Sequence, residues 1–314
     1  MITGTFLDEI THDIPSQNWS PDDWGRDFDS MAADGIDTVI LIRAGYRKRA
    51  TFASKTLQRM IPRMLPAYTD LVDVYLYHAE RVGITLFFGT YDAGVYWDGG
   101  DYAVEAEINK PFCAEVIARY GHRKAFGGWY ISHEIATHNA PMMDVYRDLS
   151  IHLRRLKALP ILMSPFIQGK KQFGDEALTL DQHEASWRKA FADLEGYVDI
   201  AAFQDGNVDL AELPDYLRVN RDLAANHGIR SWSNCESFGR DTPIRFPPAD
   251  WNVLRYKIEQ AQAAGLEKTI TFEYSHFMSP NATLWPSART LNARYAEWRQ
   301  SRLAQPELLA ADAR

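Results

Sequence analysis

Residues 127–134 read GGWYISHE and residues 229–236 read IRSWSNCE. Each is a short aromatic or β-branched run that closes on a glutamate, Glu134 or Glu236, where a buried strand gives way to a loop. Working outward from these two runs, strand-like segments recur at 3–7, 36–43, 84–90, 128–132, 161–164, 199–203, 229–234 and 268–272. The glutamate-bearing runs are therefore the fourth and seventh of eight. Helix-length segments with apolar residues three and four apart lie between them, among them 22–34, 68–82, 142–159, 210–227 and 250–264. Ser20-Pro21 opens the first, Gly35, Gly83 and Gly265 end others, and Pro160 stops the fourth. Strict alternation of this length implies parallel strands joined by crossover helices, and eight units predict an α/β chain folded as a single (β/α)8 TIM barrel. An open doubly wound sheet is the competing architecture, but no GxGxxG or GxxxxGK turn follows any strand.

Composition is consistent with this. The 314 residues carry 34 Lys+Arg against 42 Asp+Glu, a net of −8, with 46% hydrophobic and 12% aromatic residues, as in ordinary globular proteins. An acidic balance without a dense basic stripe argues against nucleic acid as a partner. Cys113 and Cys235 belong to no CxxC or other ligand spacing, so neither a disulfide framework nor a metal finger is expected, and no cofactor is implied. No apolar run reaches membrane-spanning length. The opening MITGTFLDEI enters a strand at once, which makes the cytoplasm the default location, with a periplasmic or secreted one if a leader has been removed. The barrel is expected over residues 1–302, with an alanine-rich, disordered tail over 303–314. Nothing in the sequence fixes an oligomeric state.

A TIM barrel builds its active site at the C-terminal ends of its strands. Read in order, those ends form a polar ring: Asp8 and Glu9, Arg43, Tyr91-Asp92, His133-Glu134, Gln204-Asp205, Asn234 and Glu236, and Glu273-Tyr274. A carboxylate at a loop start also serves to cap a helix or pair with an arginine. Two glutamates that both close long apolar strands point instead to glycoside hydrolysis, where one carboxyl group protonates the leaving oxygen and the other attacks or activates water. Trp97, Trp129, Trp232 and Trp285 are candidate stacking platforms for a sugar ring, Trp97 and Trp285 because they lie in loops; strand tryptophans also serve as core.

This arrangement resembles the clan A glycoside hydrolases, retaining barrel enzymes whose acid/base glutamate ends strand four and whose nucleophilic glutamate ends strand seven. Glu134 and Glu236 stand at those two places, and Arg43 stands where the clan's nucleophile-binding arginine ends strand two. The chain departs from the clan in having His133 where Asn precedes the acid/base, in lacking an evident strand-six tyrosine in AFQDG, and in having FEY for the strand-eight tryptophan. Over almost its whole length the chain also resembles a group of bacterial barrel proteins known as domain of unknown function 4434. The similarity lies in GTFLDE, NWSPDDWGRDFDSMAADGIDTVILIRAGY and WYISHE, and it implies a glycosidase-like barrel without naming a substrate.

In the scheme these resemblances imply, Glu236 attacks the anomeric carbon and Glu134, its pKa raised, acts as acid and then base. Arg43 or Asn234 would keep Glu236 ionised. Substrate contacts are expected from Asp8, Arg43, Tyr91, Asp92, Trp97, His133, Asp205, Trp232, Asn234, Glu273, Tyr274 and Trp285. The basic loop RAGYRKRATFASKTLQRMIPRM after strand two, with Lys170-Lys171 after strand five, suggests an anionic carbohydrate, or else a solvated loop balanced by acidic neighbours. Two other classes remain. One is a divalent-metal sugar isomerase or hydrolase using Glu134, Asp205, Glu236 and a histidine, although no HxH or HExxH pattern is present. The other is a barrel that binds carbohydrate without cleaving it.

Overall fold

Every strand of the chain's computed structural model, which describes residues 1–11, 14–97, 99–240 and 246–304, can be placed by asking which of its faces is apolar. Eight do so as the staves of a closed barrel: β1 (Ile2–Leu7), β2 (Thr38–Leu41), β3 (Thr85–Gly89), β4 (Phe126–Tyr130), β5 (Ile161–Met163), β6 (Ile200–Gln204), β7 (Arg230–Glu236) and β8 (Lys268–Phe272). All neighbouring pairs are parallel, and β8 closes on β1 with Gly4 opposite Ile270. The expected TIM barrel is therefore the fold.

Side chains alternate across a strand with period two, and that alternation sorts the core into two layers. Phe6, Ile40, Phe87, Tyr130, Leu162, Ala202, Trp232 and Ile270, one from each strand, meet inside the barrel. The intervening residues, such as Leu7, Leu41, Phe88, Trp129, Phe203 and Cys235, face a larger shell formed with the surrounding helices. Those helices are α1 (Pro21–Ala33), α2 (Leu71–Val82), α3 (Tyr102–Tyr120), α4 (Ala140–Leu156), α5 (Leu180–Leu194), α6 (Leu213–Asn226), α7 (Trp251–Ala263) and α8 (Pro286–Ala304). Ser20 caps α1 in a reciprocal box with Asp23, and Thr179 does the same for α5 with Gln182. Helix α8 extends to Ala304, two residues past the expected barrel limit, and 305–314 of the expected tail lie outside the described residues.

The basic stretch after β2 is structured. It makes the hairpin Gly45–Tyr46 with Arg49–Ala50, the short helix Lys55–Met60 and the strand Leu65–Pro66. Together with Tyr91–Asp92 they form a four-stranded sheet over the C-terminal rim. No helix among the described residues is long and apolar enough to cross a membrane.

Candidate active site

The same alternation decides what reaches the barrel mouth. On β7, Trp232 fills the interior, Asn234 lies two residues higher on the same face and Glu236 two higher again, while Cys235 turns to the helices. On β6 the inward residue is Gln204, and Asp205 turns outward. Beyond β4, Glu134 returns to the side of Tyr130, whose hydroxyl donates to Glu134 Oε1 at 3.3 Å. Glu134 and Glu236 thus line one cavity of about 280 Å³, with Asp8, Arg43, Asn234 and Gln204.

Glu236 is buried and clamped. Arg240, four residues on, donates Nη2 to its Oε1 at 2.7 Å and Nε to its Oε2 at 2.8 Å, the paired geometry in which a guanidinium binds a carboxylate most strongly. The arginine is held in turn over the rings of Phe238 and Phe246, at 5.0 and 5.5 Å. Below, Asp205 Oδ1 accepts the Glu236 backbone N–H at 3.0 Å and the Lys257 ammonium at 2.7 Å; Lys257 also donates to the Glu236 carbonyl at 3.2 Å. Burial pushes the Asp205 carboxyl up, while Lys257 pulls it down. Burial works against the Lys257 charge, but Asp205, Cys235 and Glu236 together outweigh it and raise the ammonium to about 12. A β-carbon on Gly206 would lie 1.7 Å from Glu236 Oε2, so this carboxylate occupies the space a side chain would take.

Glu134 is held more loosely. Its Oε2 lies 3.6 Å from Arg43 Nη2, and its side chain keeps 23% exposure. Burial raises its pKa, opposed by Arg43 and by hydrogen bonds from the Gln204 and Tyr130 side chains. Arg43 spends its Nε on Asp92, 2.9 Å away. Burial opposes the Arg43 charge, but Glu134 and Asp92 more than offset that. Asp92 also takes the N–H groups of Gly94 and Trp97 at 2.8 and 3.2 Å; its pKa is lowered, burial being outweighed by Arg43 and His133. The expectation that Arg43 or Asn234 holds Glu236 is thus corrected. Arg43 serves Glu134, Asn234 donates to Ser164 Oγ at 3.0 Å, and the partner of Glu236 is Arg240.

Several residues expected at the substrate stand behind the cavity wall or away from it. His133, with the parity opposite to Glu134, turns into the shell, where its Nε2 meets Glu105 of α3 at 3.0 Å. Trp97 packs edge-on against His133. Tyr91 donates its hydroxyl to the Arg47 carbonyl at 2.7 Å. Trp232 is interior core, with the Lys268 ammonium over its ring at 5.4 Å. Glu273 caps the short helix Tyr274–Phe277, taking the N–H groups of Ser275 and His276 at 2.7 and 2.9 Å. Tyr274 donates to Asp34 at 2.6 Å, and Trp285 packs on the Ile14, Phe238 and Phe277 cluster. Trp129 lies between β4 and the helices, its N–H on the Lys157 carbonyl. The rings that do line the cavity are phenylalanines: Phe6, Phe166, Phe238, Phe246 and Phe272. Asp8 reaches it with a raised pKa, burial outweighing its hydrogen bonds from Thr11.

The metal set anticipated from the sequence is not the group that could hold an ion here. Among the described residues that group is Asp92, Glu105 and His133, all buried, with one ligand atom from each lying within 4.8 Å of the others. Its atoms already serve Arg43, Trp97 and the backbone N–H of Ala93 and Gly94. Lys170, offered as part of a basic field, is paired with Glu212 at 2.8 Å.

Comparison with known proteins adds context to this geometry. The sequence matches the family described as domain of unknown function DUF4434 over residues 2–284. A crystal structure from Bacteroides thetaiotaomicron VPI-5482, described as a "putative alpha-L-fucosidase", is 46% identical with a TM-score of 0.90, over 95% of this chain and 92% of that one. The endo-1,4-beta-D-mannanase of Thermotoga petrophila RKU-1 is 12% identical with a TM-score of 0.56, over 87% and 94%. A glycoside hydrolase family 5 protein of Bacteroides vulgatus ATCC 8482 is 14% identical with a TM-score of 0.56, over 82% and 55%. The last two share the fold alone. No curated protein matches.

Proposed function

Because the chain belongs to the DUF4434 family, and so to a barrel whose rim chemistry is open to assignment, we propose that it is a glycoside hydrolase acting through Glu134 and Glu236. The observation that carries this reading is the pair of carboxyl groups from the ends of β4 and β7 lining one small cavity, each with its own arginine. Glu236, paired with Arg240, attacks the anomeric carbon as the glycosidic C–O bond breaks. Glu134, with its raised pKa, gives its proton to the departing oxygen. Water then attacks the glycosyl ester, losing a proton to Glu134, and frees the sugar with Glu236 restored.

The cavity's size and lining narrow the substrate. About 280 Å³ lies just under the range of roughly 300–1,000 Å³ usual for ligands of drug size, which suits one terminal sugar ring rather than a long chain. Phe166, Phe238, Phe246 and Phe272 give that ring apolar walls. Such walls suit the methyl group of a 6-deoxy sugar such as the L-fucosyl unit, the sugar in the description of the Bacteroides relative. The test is hydrolysis of a panel of 4-nitrophenyl glycosides headed by the α-L-fucoside, with proton NMR of the first-formed product. The expected result is turnover with retained anomeric configuration, lost in both Glu134→Gln and Glu236→Gln. Wild-type turnover in both variants, or none on any glycoside, overturns the reading.

A further inference from the structure

Beside the cavity, the excursion after β2 and the loop after β3 enclose a groove of about 840 Å³, three times the cavity's volume. Its walls include three tyrosines, Tyr46, Tyr91 and Tyr96. Its edge is three consecutive cations, Arg47, Lys48 and Arg49. All three are exposed, and no carboxylate is among the described residues lining the groove. In a chain of net charge −8 this is a local reversal of sign. Arg47 lies over the Tyr46 ring at 5.2 Å, and Arg49 donates to the Ser16 hydroxyl at 3.1 Å. Lys48 makes no hydrogen bond or ion pair with any described side chain.

A single wall separates groove from cavity. Arg43, which lines the cavity, sits 5.2 Å from the ring of Tyr46, which lines the groove. Asp8 of the cavity accepts the N–H groups of Ile10 and Thr11, both in the groove, at 3.2 and 3.1 Å. The cations are also set in place by backbone. Arg47 N–H donates to the Asp92 carbonyl at 2.9 Å, and the Lys48 carbonyl accepts from Leu65 at 2.7 Å. Arg47 itself holds a φ of 50° at the hairpin tip, a conformation that costs a non-glycine residue stability.

We infer that this groove is a subsite for an acidic sugar, a uronate or sulfated unit joined to the residue held in the cavity. Tyr46 and Tyr91 are buried and form the groove's floor, which leaves the part-exposed Tyr96 as the ring that can stack on the apolar side of a sugar; guanidinium groups bind carboxylate or sulfate oxygens in pairs, and a field of one sign concentrates such a ligand. The inference deepens the glycosidase reading and rests on it for the link between the two sites, but the binding can be measured without turnover. Calorimetric titration of the whole chain would use two acid/neutral pairs, trigalacturonic acid with its full methyl ester and galactose 6-sulfate with galactose. At least one acidic probe binds about tenfold or more tighter than its neutral counterpart, and raised salt weakens it. Lys48→Gln/Arg49→Gln loses about that factor, as does Val95→Glu, which places a like charge at a position already 59% exposed. The subsite is overturned if neither acidic probe outbinds its neutral counterpart, or if the double variant binds as wild type. Acid-selective binding with no hydrolysis of any glycoside keeps the subsite and removes the hydrolase, whereas hydrolysis without acid selectivity does the reverse.

Discussion

The two glutamates of the cavity are alike in chemistry and unlike in support. Glu236 receives both arms of Arg240 at 2.7 and 2.8 Å and rests on the buried Asp205 and Lys257 pair. Glu134 has neutral donors, the Tyr130 hydroxyl and the Gln204 side chain, and an arginine 3.6 Å away that is committed to Asp92. A clamped carboxylate suits an anion that must stay in place, and a loosely held one with a raised pKa suits a group that gives up and regains a proton. The lesson is that equivalent rim positions take different roles from their second neighbours.

The hardest way to break this comparison is to neutralise each side in turn. Glu236→Gln should lower kcat by about 10⁴-fold or more on every substrate, since it removes the nucleophile and with it the covalent route. Glu134→Gln should cost about 10²- to 10⁴-fold in kcat/KM with poor leaving groups and much less in kcat/KM with a dinitrophenyl glycoside, which leaves without protonation, while kcat falls on both because the base for the second step is gone. Equal losses in kcat/KM on both leaving groups in both variants would erase the distinction in stopped-assay kinetics. The next effect falls on stability. Lys257 and Asp205 are both at most 5% exposed, so Lys257→Met strands a buried carboxylate and should cost about 3–5 kcal/mol in denaturant unfolding. Lys257→Met/Asp205→Asn should recover part of it. A smaller, purely geometric test is Gly206→Ala. With its β-carbon 1.7 Å from Glu236 Oε2, the carboxylate must move by about an ångström, for an expected loss of about 10²-fold in kcat. An unchanged KM would separate this from lost binding.

How much of this was legible beforehand follows from what period and position can say. Eight strands alternating with helices gave the barrel, and Glu134 and Glu236 gave its rim. Strand-end position without parity assigns His133, Asp205 and Glu273 to the substrate, although they face the shell or cap a helix. Register alone would have moved Gln204 in and Asp205 out. Arg240 could have been found only from the spacing of four to Glu236 in a loop, and loop spacing carries no periodic signal. The phenylalanines carry no such signal in sequence, because tryptophan is the usual sugar platform, whereas this chain's tryptophans are spent on core and on buttressing Asp92.

The mildest test is a shift in pH rather than a loss. Glu134 already has a raised pKa, with burial the leading cause and Arg43 the leading opponent. Its protonated form is the one that serves the leaving group, so kcat/KM falls as pH rises through its pKa and that pKa sets the alkaline limb of the profile. Arg43→Met removes the opposing cation and frees the negative field of Asp92, which also raises Glu134. Both changes move the alkaline limb to higher pH. Arg43→Lys keeps a charge there and should leave the limb near its wild-type place, which separates electrostatics from packing damage. A limb that moves downward in Arg43→Met, or only in Glu236 variants, would mean that Glu134 is not the acid and that the two glutamates had been assigned the wrong way round.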